Sequence, residues 1–165
     1  MTKKYELTPK QSLVFTTDAN EVFAGGSASG GKTFCNKMLA ISVAEQVPGA
    51  QIAVLRNTSK NLKKNYFQGS ESIPSILYEH IKAKKVSINY SDMTVTWLET
   101  GSVIHFMHAE HVESTIENLQ GIEFALIIID EASLIHKDII NHSKTRLRIG
   151  SLKIDNPNVL NWPRL

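Results

Sequence analysis

Cysteine occurs once among the 165 residues, proline five times, and aromatic residues make up only 7%. A lone Cys35 cannot close an internal disulfide, so a bridged scaffold is excluded, and a single thiol suits a reducing cytoplasm. The longest unbroken apolar run, residues 124–129, is far short of the ~20 residues that a membrane span needs. The basic opening MTKKYELTPK has no apolar stretch behind it, so it does not read as a signal peptide. Net charge is only +2, which argues against a protein dedicated to coating nucleic acid. Internal repeats, low-complexity tracts and linker-like stretches are missing as well.

What is present is ordinary for a folded domain. Apolar residues make up 42% and charged residues 21%, near the usual composition, so disorder is excluded. The length suits one domain, and the expectation is a soluble, intracellular protein. Charge is nevertheless unevenly placed. Lys60, Lys63 and Lys64 form one cluster, Lys82, Lys84 and Lys85 another, and Lys144, Arg146 and Arg148 a third. Each reads either as a solvated helix face or as a set of phosphate contacts.

The pattern predicts a first helix over 8–15, with Thr8 as N-cap, Pro9 at the first helical position and Gln11 completing a capping box. Residues 21–24 read as a short strand running into a glycine-rich loop. Helical spacing then covers 33–46 and stops at Pro48-Gly49. A buried strand is expected at 51–55, followed by helices near 59–67 and 73–82 that are broken by Gly69. Strands at 86–90, 94–98 and 102–107 are separated by turns short enough for antiparallel hairpins. Residues 124–129 read as a strand buried on both faces, and a polar helical segment follows to about 148. This order implies a mainly parallel α/β core with an antiparallel insertion.

Gly26-Ser27-Ala28-Ser29-Gly30-Gly31-Lys32-Thr33 fits G-x-x-x-x-G-K-[ST] in full. Such a loop curls so that successive amides face a bound phosphate, and the helix behind it presents its positive dipole end. Lys32 would reach the β- and γ-phosphates, and the Thr33 hydroxyl would ligate Mg²⁺. A Gly/Ser-rich turn before a helix is the plainer reading, but the predicted strand–loop–helix context is the one the motif requires. At the end of the later strand, Asp130 would hold Mg²⁺ and Glu131 would accept a proton from attacking water. The alternative there is a strand merely reaching solvent. The triplet His105, His108, His111 invites a zinc reading, but strand alternation puts His105 and His108 on opposite faces and no cysteine completes a tetrahedron.

The succession Leu7-Thr8-Pro9-Lys10-Gln11, GGSASGGKT, Val54-Leu55-Arg56-Asn57-Thr58, Gly101-Ser102-Val103-Ile104-His105-Phe106, then Gly121-Ile122-Glu123-Phe124 into IIIDEAS and Arg146-Leu147-Arg148 resembles the N-terminal ATPase domain of the large terminase subunit of tailed bacteriophages. The resemblance implies a P-loop NTPase fold of the RecA-like (ASCE) class over residues 1–150. It also implies an ATP- and Mg²⁺-dependent ATPase that drives double-stranded DNA into a procapsid in the host cytoplasm. Its implied partners are a portal protein and a small terminase subunit, with a ring formed on the portal and no membrane. It assigns Gln11 to adenine, beside its capping role, and makes Arg56 a nucleotide, loop or DNA contact, beside a surface ion pair. Many members carry an arginine where this chain has Ala28, so Arg146 or Arg148, or a neighbouring subunit, would stabilise the transferred phosphoryl group. The resemblance further implies a coupling strand and a nuclease domain, neither of which is legible in 151–165; this tail is expected to mark a truncation. A helicase-like or PhoH-like ATPase acting on single strands, or a nucleotide-binding module without turnover, are the alternatives.

Overall fold

Thr8 and Gln11 set the first helix by bonding reciprocally. The Gln11 amide donates to Thr8 Oγ1 at 3.3 Å, and the Thr8 amide donates to Gln11 Oε1 at 2.9 Å. Helix α1 (Pro9–Thr16) follows with Pro9 in its first turn, as the sequence predicts. The computed structural model describes residues 7–17, 19–25 and 31–148. Thr8→Ala is expected to cost about 1 kcal/mol, or a fall of roughly 2–4 °C in Tm for a chain of this size. Calorimetry checks this, and an unchanged Tm would mean that the cap does not anchor α1.

Helix α2 (Lys32–Gln46) starts from Gly31 and buries Cys35, Leu39, Ala40, Val43 and Ala44 along one face. It delivers the chain to β1 (Gln51–Arg56), the middle strand of the parallel part of the sheet. Helix α3 (Ser59–Leu62), capped by Thr58, continues into a π-helical turn over Lys63–Phe67. Two short helices, α4 (Ile73–Ile76) and α5 (Tyr78–Lys82), replace the single helix expected there, with the break at Leu77. Strands β2 (Val86–Asn89), β3 (Thr94–Trp97) and β4 (Val103–His108) follow. Helix α6 (Val112–Leu119) is an addition to the expected elements, although its apolar residues at 112, 116 and 119 carry helical spacing. Strand β5 (Leu126–Ile129), a 3-10 turn (Ala132–Leu134) and α7 (Lys137–Thr145) complete the order.

The sheet runs β2-β3-β4-β1-β5. Strand β1 pairs in parallel with both β4 and β5, while β2 and β3 join antiparallel outside β4. The antiparallel strands therefore extend one edge of the sheet instead of interrupting its parallel part. Residues 21–24 are not a strand. They find no ladder partner among the described residues, Phe23 is exposed, and the segment is held by an ion pair from Glu21 to Lys144 at 2.5 Å. After α7 the backbone turns so that Leu147 lies beside Phe124 in a parallel bridge, ending the helix short of 148. Residues 151–165 lie outside the described residues.

Strand alternation divides the core. Ile52 and Val54 pack with α2, Leu62, Tyr66 and Ile73 on one face; Ala53 and Leu55 pack with Leu119, Ile127 and Ile139 on the other. Burying each large aliphatic side chain contributes about 1.5–3 kcal/mol. Helices thus cover both faces, which is why β1 and β5 read as unbroken apolar runs. Among the described residues, no helix is long and apolar enough to cross a membrane.

Candidate nucleotide and catalytic site

At the carboxyl end of the parallel strands, three segments converge: the start of α2, the end of β1 and the end of β5. Gly26, Ser27, Ala28, Ser29 and Gly30 lie outside the described residues. Gly31 caps α2 with φ +64, and a Cβ there would lie 2.7 Å from Gln11 Nε2, so glycine meets both a backbone and a space requirement. Lys32 is the first residue of α2. One residue on, Thr33 Oγ1 donates to Asp130 Oδ2 at 3.2 Å. The end of the glycine-rich motif and the acidic pair, far apart in sequence, therefore meet. Thr33 and Asp130 offer the hard oxygen donors that Mg²⁺ takes, and they lie at the helix end that favours phosphate.

Asp130 is buried, and its Oδ2 gathers three donors: Thr33 Oγ1, Tyr66 Oη at 3.1 Å, and Arg56 Nη1. Parallel pairing aligns the arginine with the carboxylate. Leu55 lies opposite Ile129, and the Asp130 amide donates to the Leu55 carbonyl at 2.9 Å, so Arg56 and Asp130 leave the sheet side by side. The guanidinium is buried, which overturns the surface-ion-pair reading of Arg56. Its Nη2 donates to Glu131 Oε1 at 2.7 Å, while Nε is buried without a hydrogen-bond partner among the described residues. Leaving that donor unmade costs about 1–3 kcal/mol. Glu131 has φ +59, a conformation costing roughly 1–2 kcal/mol for a residue with a Cβ. Its side chain is 44% exposed against 6% for Asp130, so Glu131 is the acid that can meet water.

Two participants were missed in the sequence. Tyr66 is fully buried in the π-helical turn, and burial, then the charge of Asp130, pushes its phenol well above the usual range. It therefore remains a hydrogen-bond donor. Lys37 is buried one turn beyond Thr33, a spacing that puts both on one helix face. Its Nζ donates to the Glu71 carbonyl at 2.7 Å and lies 5.6 Å from the Tyr66 ring centroid. Burial lowers its pKa, against the opposing charges of Glu71 and Asp130.

Gln11 uses both ends of its amide: Oε1 closes the capping box and Nε2 donates to the Gly31 carbonyl at 3.1 Å. One further lone pair and one further N–H remain on that amide. Arg146 Nε donates to the Ile122 carbonyl at 3.3 Å, and Arg148 lies 3.8 Å from Glu123. Both arginines sit at the amino end of β5, roughly 20 Å from Asp130 at ~3.3 Å per strand residue. The structure does not bring them to the cluster formed by Thr33, Arg56, Asp130 and Glu131.

The three histidines also stay apart. His105 Nε2 bonds Gln51 Oε1 at 2.8 Å, and His108 Nδ1 lies 3.3 Å from Glu110. Among the described residues no three His, Cys, Asp or Glu side chains gather as a metal set. Burial lowers the His105 pKa, so the fold favours its neutral form. Its contribution is complete above the unfolded value of about 6.5 and is lost as pH falls through that value toward the folded one. His105→Gln is expected to flatten the stability profile below pH 6.5; an unaltered profile in urea titrations would sink this assignment.

Comparisons with known proteins give the family and the fold. The family model described as terminase large subunit, T4likevirus-type, N-terminal matches residues 23–156. No curated protein matches the sequence. Among solved structures, the large terminase of a thermophilic bacteriophage superposes with a TM-score of 0.65 at 17% identity, over 93% of this chain and 37% of that one. That terminase has also been solved in complex with ATP-gamma-S and with ADP. The large terminase ATPase domain of Thermus phage P74-26 gives 0.66 at 15% identity, over 86% of this chain and 62% of that one. The HK97 bacteriophage large terminase gives 0.69 at 16%, over 86% and 30%. At these identities the structures establish the fold alone, that of a P-loop NTPase, and the chain spans less than two thirds of each. The match over most of its residues shows that this chain belongs to the terminase large subunit family, in the N-terminal region of that protein.

Proposed function

We propose that the chain is an ATP-hydrolysing motor domain that moves double-stranded DNA into a procapsid. The observation that carries this reading is the contact of Thr33 with Asp130, with Glu131 beside it and open to water. Residues 26–31 and Lys32 hold the nucleotide phosphates, and Gln11 has the remaining hydrogen-bonding positions to meet adenine. Thr33 and Asp130 hold Mg²⁺, which neutralises charge on the β- and γ-phosphate oxygens when bound. Glu131 accepts a proton from the water that attacks the γ-phosphate.

Arg56 regulates that last step. While its Nη2 holds Glu131 Oε1, that oxygen is occupied by a charge-assisted hydrogen bond and is not free to meet a water proton. A γ-phosphate beside Arg56 competes for the guanidinium and frees Glu131. The terminase family supports the finer reading: a ring assembled on the portal, a small-subunit partner and action in the bacterial cytoplasm. Arginines at the far end of β5, Arg146 and Arg148, then serve a neighbouring subunit or the DNA instead of their own phosphate site.

The test is phosphate release from Mg·ATP by the wild-type chain and Lys32→Ala, with linear duplex DNA, with single-stranded DNA and with neither. Turnover that depends on Lys32 and rises with duplex is expected. Stimulation by single strands alone would favour a helicase-like ATPase, and tight ATP binding without turnover would favour a nucleotide-binding module.

A further inference from the structure

No aspartate or glutamate occurs between Glu45 and Glu71, and the middle of that stretch forms a two-faced element. Helix α3 and the π-helical turn leave β1 directly after Arg56, at the sheet end where the catalytic acids lie. Lys60, Lys63 and Lys64 are exposed on the outer face, and no described carboxylate pairs with them. Beside them runs a ladder of neutral amides. Asn57 Oδ1 accepts from Asn61 Nδ2 at 3.2 Å, and Asn65 Nδ2 donates to the Asn61 carbonyl at 2.7 Å. Lysine and asparagine without intervening acid is the side-chain chemistry that contacts a nucleic-acid backbone.

The inner face of the same element is Leu62 and Tyr66, both buried, with the Tyr66 hydroxyl on Asp130. The i→i+5 turn over Lys63–Phe67 displaces Tyr66 from the position that a continuous α-helix would give it. Such turns are strained and recur at functional sites. Asn57, next to Arg56 in the chain, accepts the Thr58 amide at 2.9 Å and so ties the helix start to the arginine that holds Glu131. One segment therefore presents three lysines to solvent, touches Asp130 through Tyr66, and follows directly on Arg56, which holds Glu131.

We propose that residues 57–67 form a contact surface for nucleic-acid phosphates that is mechanically joined to the catalytic carboxylates, with Tyr66 as the positioning residue for Asp130. This rests on the motor reading above and adds to it the surface and the connection. Phosphates drawn to Lys60, Lys63 and Lys64 bias the segment as a unit, because a packed helix shifts between discrete positions instead of deforming continuously. Tyr66 carries that shift to Asp130 and hence to Mg²⁺ affinity. Coupling of this kind is reciprocal, so nucleotide with its metal alters affinity for the polyanion by the same factor.

Two variants of the full chain test the two faces. Lys60→Gln/Lys63→Gln/Lys64→Gln alters only exposed positions. Its duplex affinity, measured by anisotropy across a salt series, should show a log–log slope reduced by about 2.7, from ~0.9 per phosphate contact. Binding of Mn²⁺·ADP, read by electron paramagnetic resonance, should match wild type. Tyr66→Phe should keep the wild-type salt slope. The several-fold effect of duplex DNA on Mn²⁺·ADP affinity expected for wild type should collapse toward one in this variant. An unchanged slope in the lysine variant, an unchanged coupling factor in Tyr66→Phe, or no duplex binding by wild type would each overturn the proposal. If Lys32→Ala leaves Mn²⁺·ADP binding intact, the motor reading fails instead, and the salt slope still decides the lysine surface.

Discussion

Glu131→Gln is expected to lower ATP turnover by roughly 10²–10⁴-fold, the contribution of a positioned general base. The amide keeps the shape of the side chain and one hydrogen-bond acceptor but cannot take a proton at neutral pH. Nucleotide affinity should change little, because Thr33, Asp130 and Lys32 remain. Stability should fall by no more than ~1 kcal/mol, since the ion pair that is lost, Glu131 with Arg56, is partly solvated. Lys32→Ala provides the contrast, with binding and turnover lost together. A Glu131→Gln chain that hydrolyses ATP within tenfold of wild type would place the base elsewhere.

Arg56→Ala should have the largest effect on stability. It removes the guanidinium from a carboxylate that is almost fully buried and leaves it the hydroxyls of Tyr66 and Thr33, neither of which carries a charge. Stranding a buried charge in this way costs about 3–5 kcal/mol, a fall of roughly 6–20 °C in Tm at ~2–4 °C per kcal/mol. The double variant Arg56→Met/Asp130→Leu should recover most of that loss, because an apolar pair of similar volume needs no desolvated charge to be matched. Calorimetry on the two variants separates a stranded charge from lost side-chain volume. Equal losses in both would sink the electrostatic account.

Local chemistry made the parts of this fold legible. The Thr8–Gln11 box, the strand at 51–56 and the hairpins 86–107 depend on neighbours in sequence, and each appears within a residue or two of its expected bounds. The acids at 130 and 131 were readable because an aliphatic run ending in two carboxylates is chemically distinctive. What was not legible depends on partners distant in the chain. Residues 21–24 have a strand's composition but no described neighbour to bond. Tyr66 resembles any helix residue until the π-helical turn aims it at Asp130. The burial of Arg56 follows from the pairing of β1 with β5, which no local pattern encodes.

That pairing has a consequence for folding itself. Along β1 and β5 the apposed side chains are Ile52 with Leu126, Ala53 with Ile127, Val54 with Ile128 and Leu55 with Ile129. Aliphatic partners of this kind are nearly interchangeable, so a slip of two residues preserves facing and burial and costs the core little. At the strand ends the same slip would set Arg56 and Asp130 two positions out of step and leave a carboxylate in the protein interior without its cation. The paired charges of Arg56 and Asp130 thus act as a molecular index mark, selecting one alignment from several that hydrophobicity alone would accept.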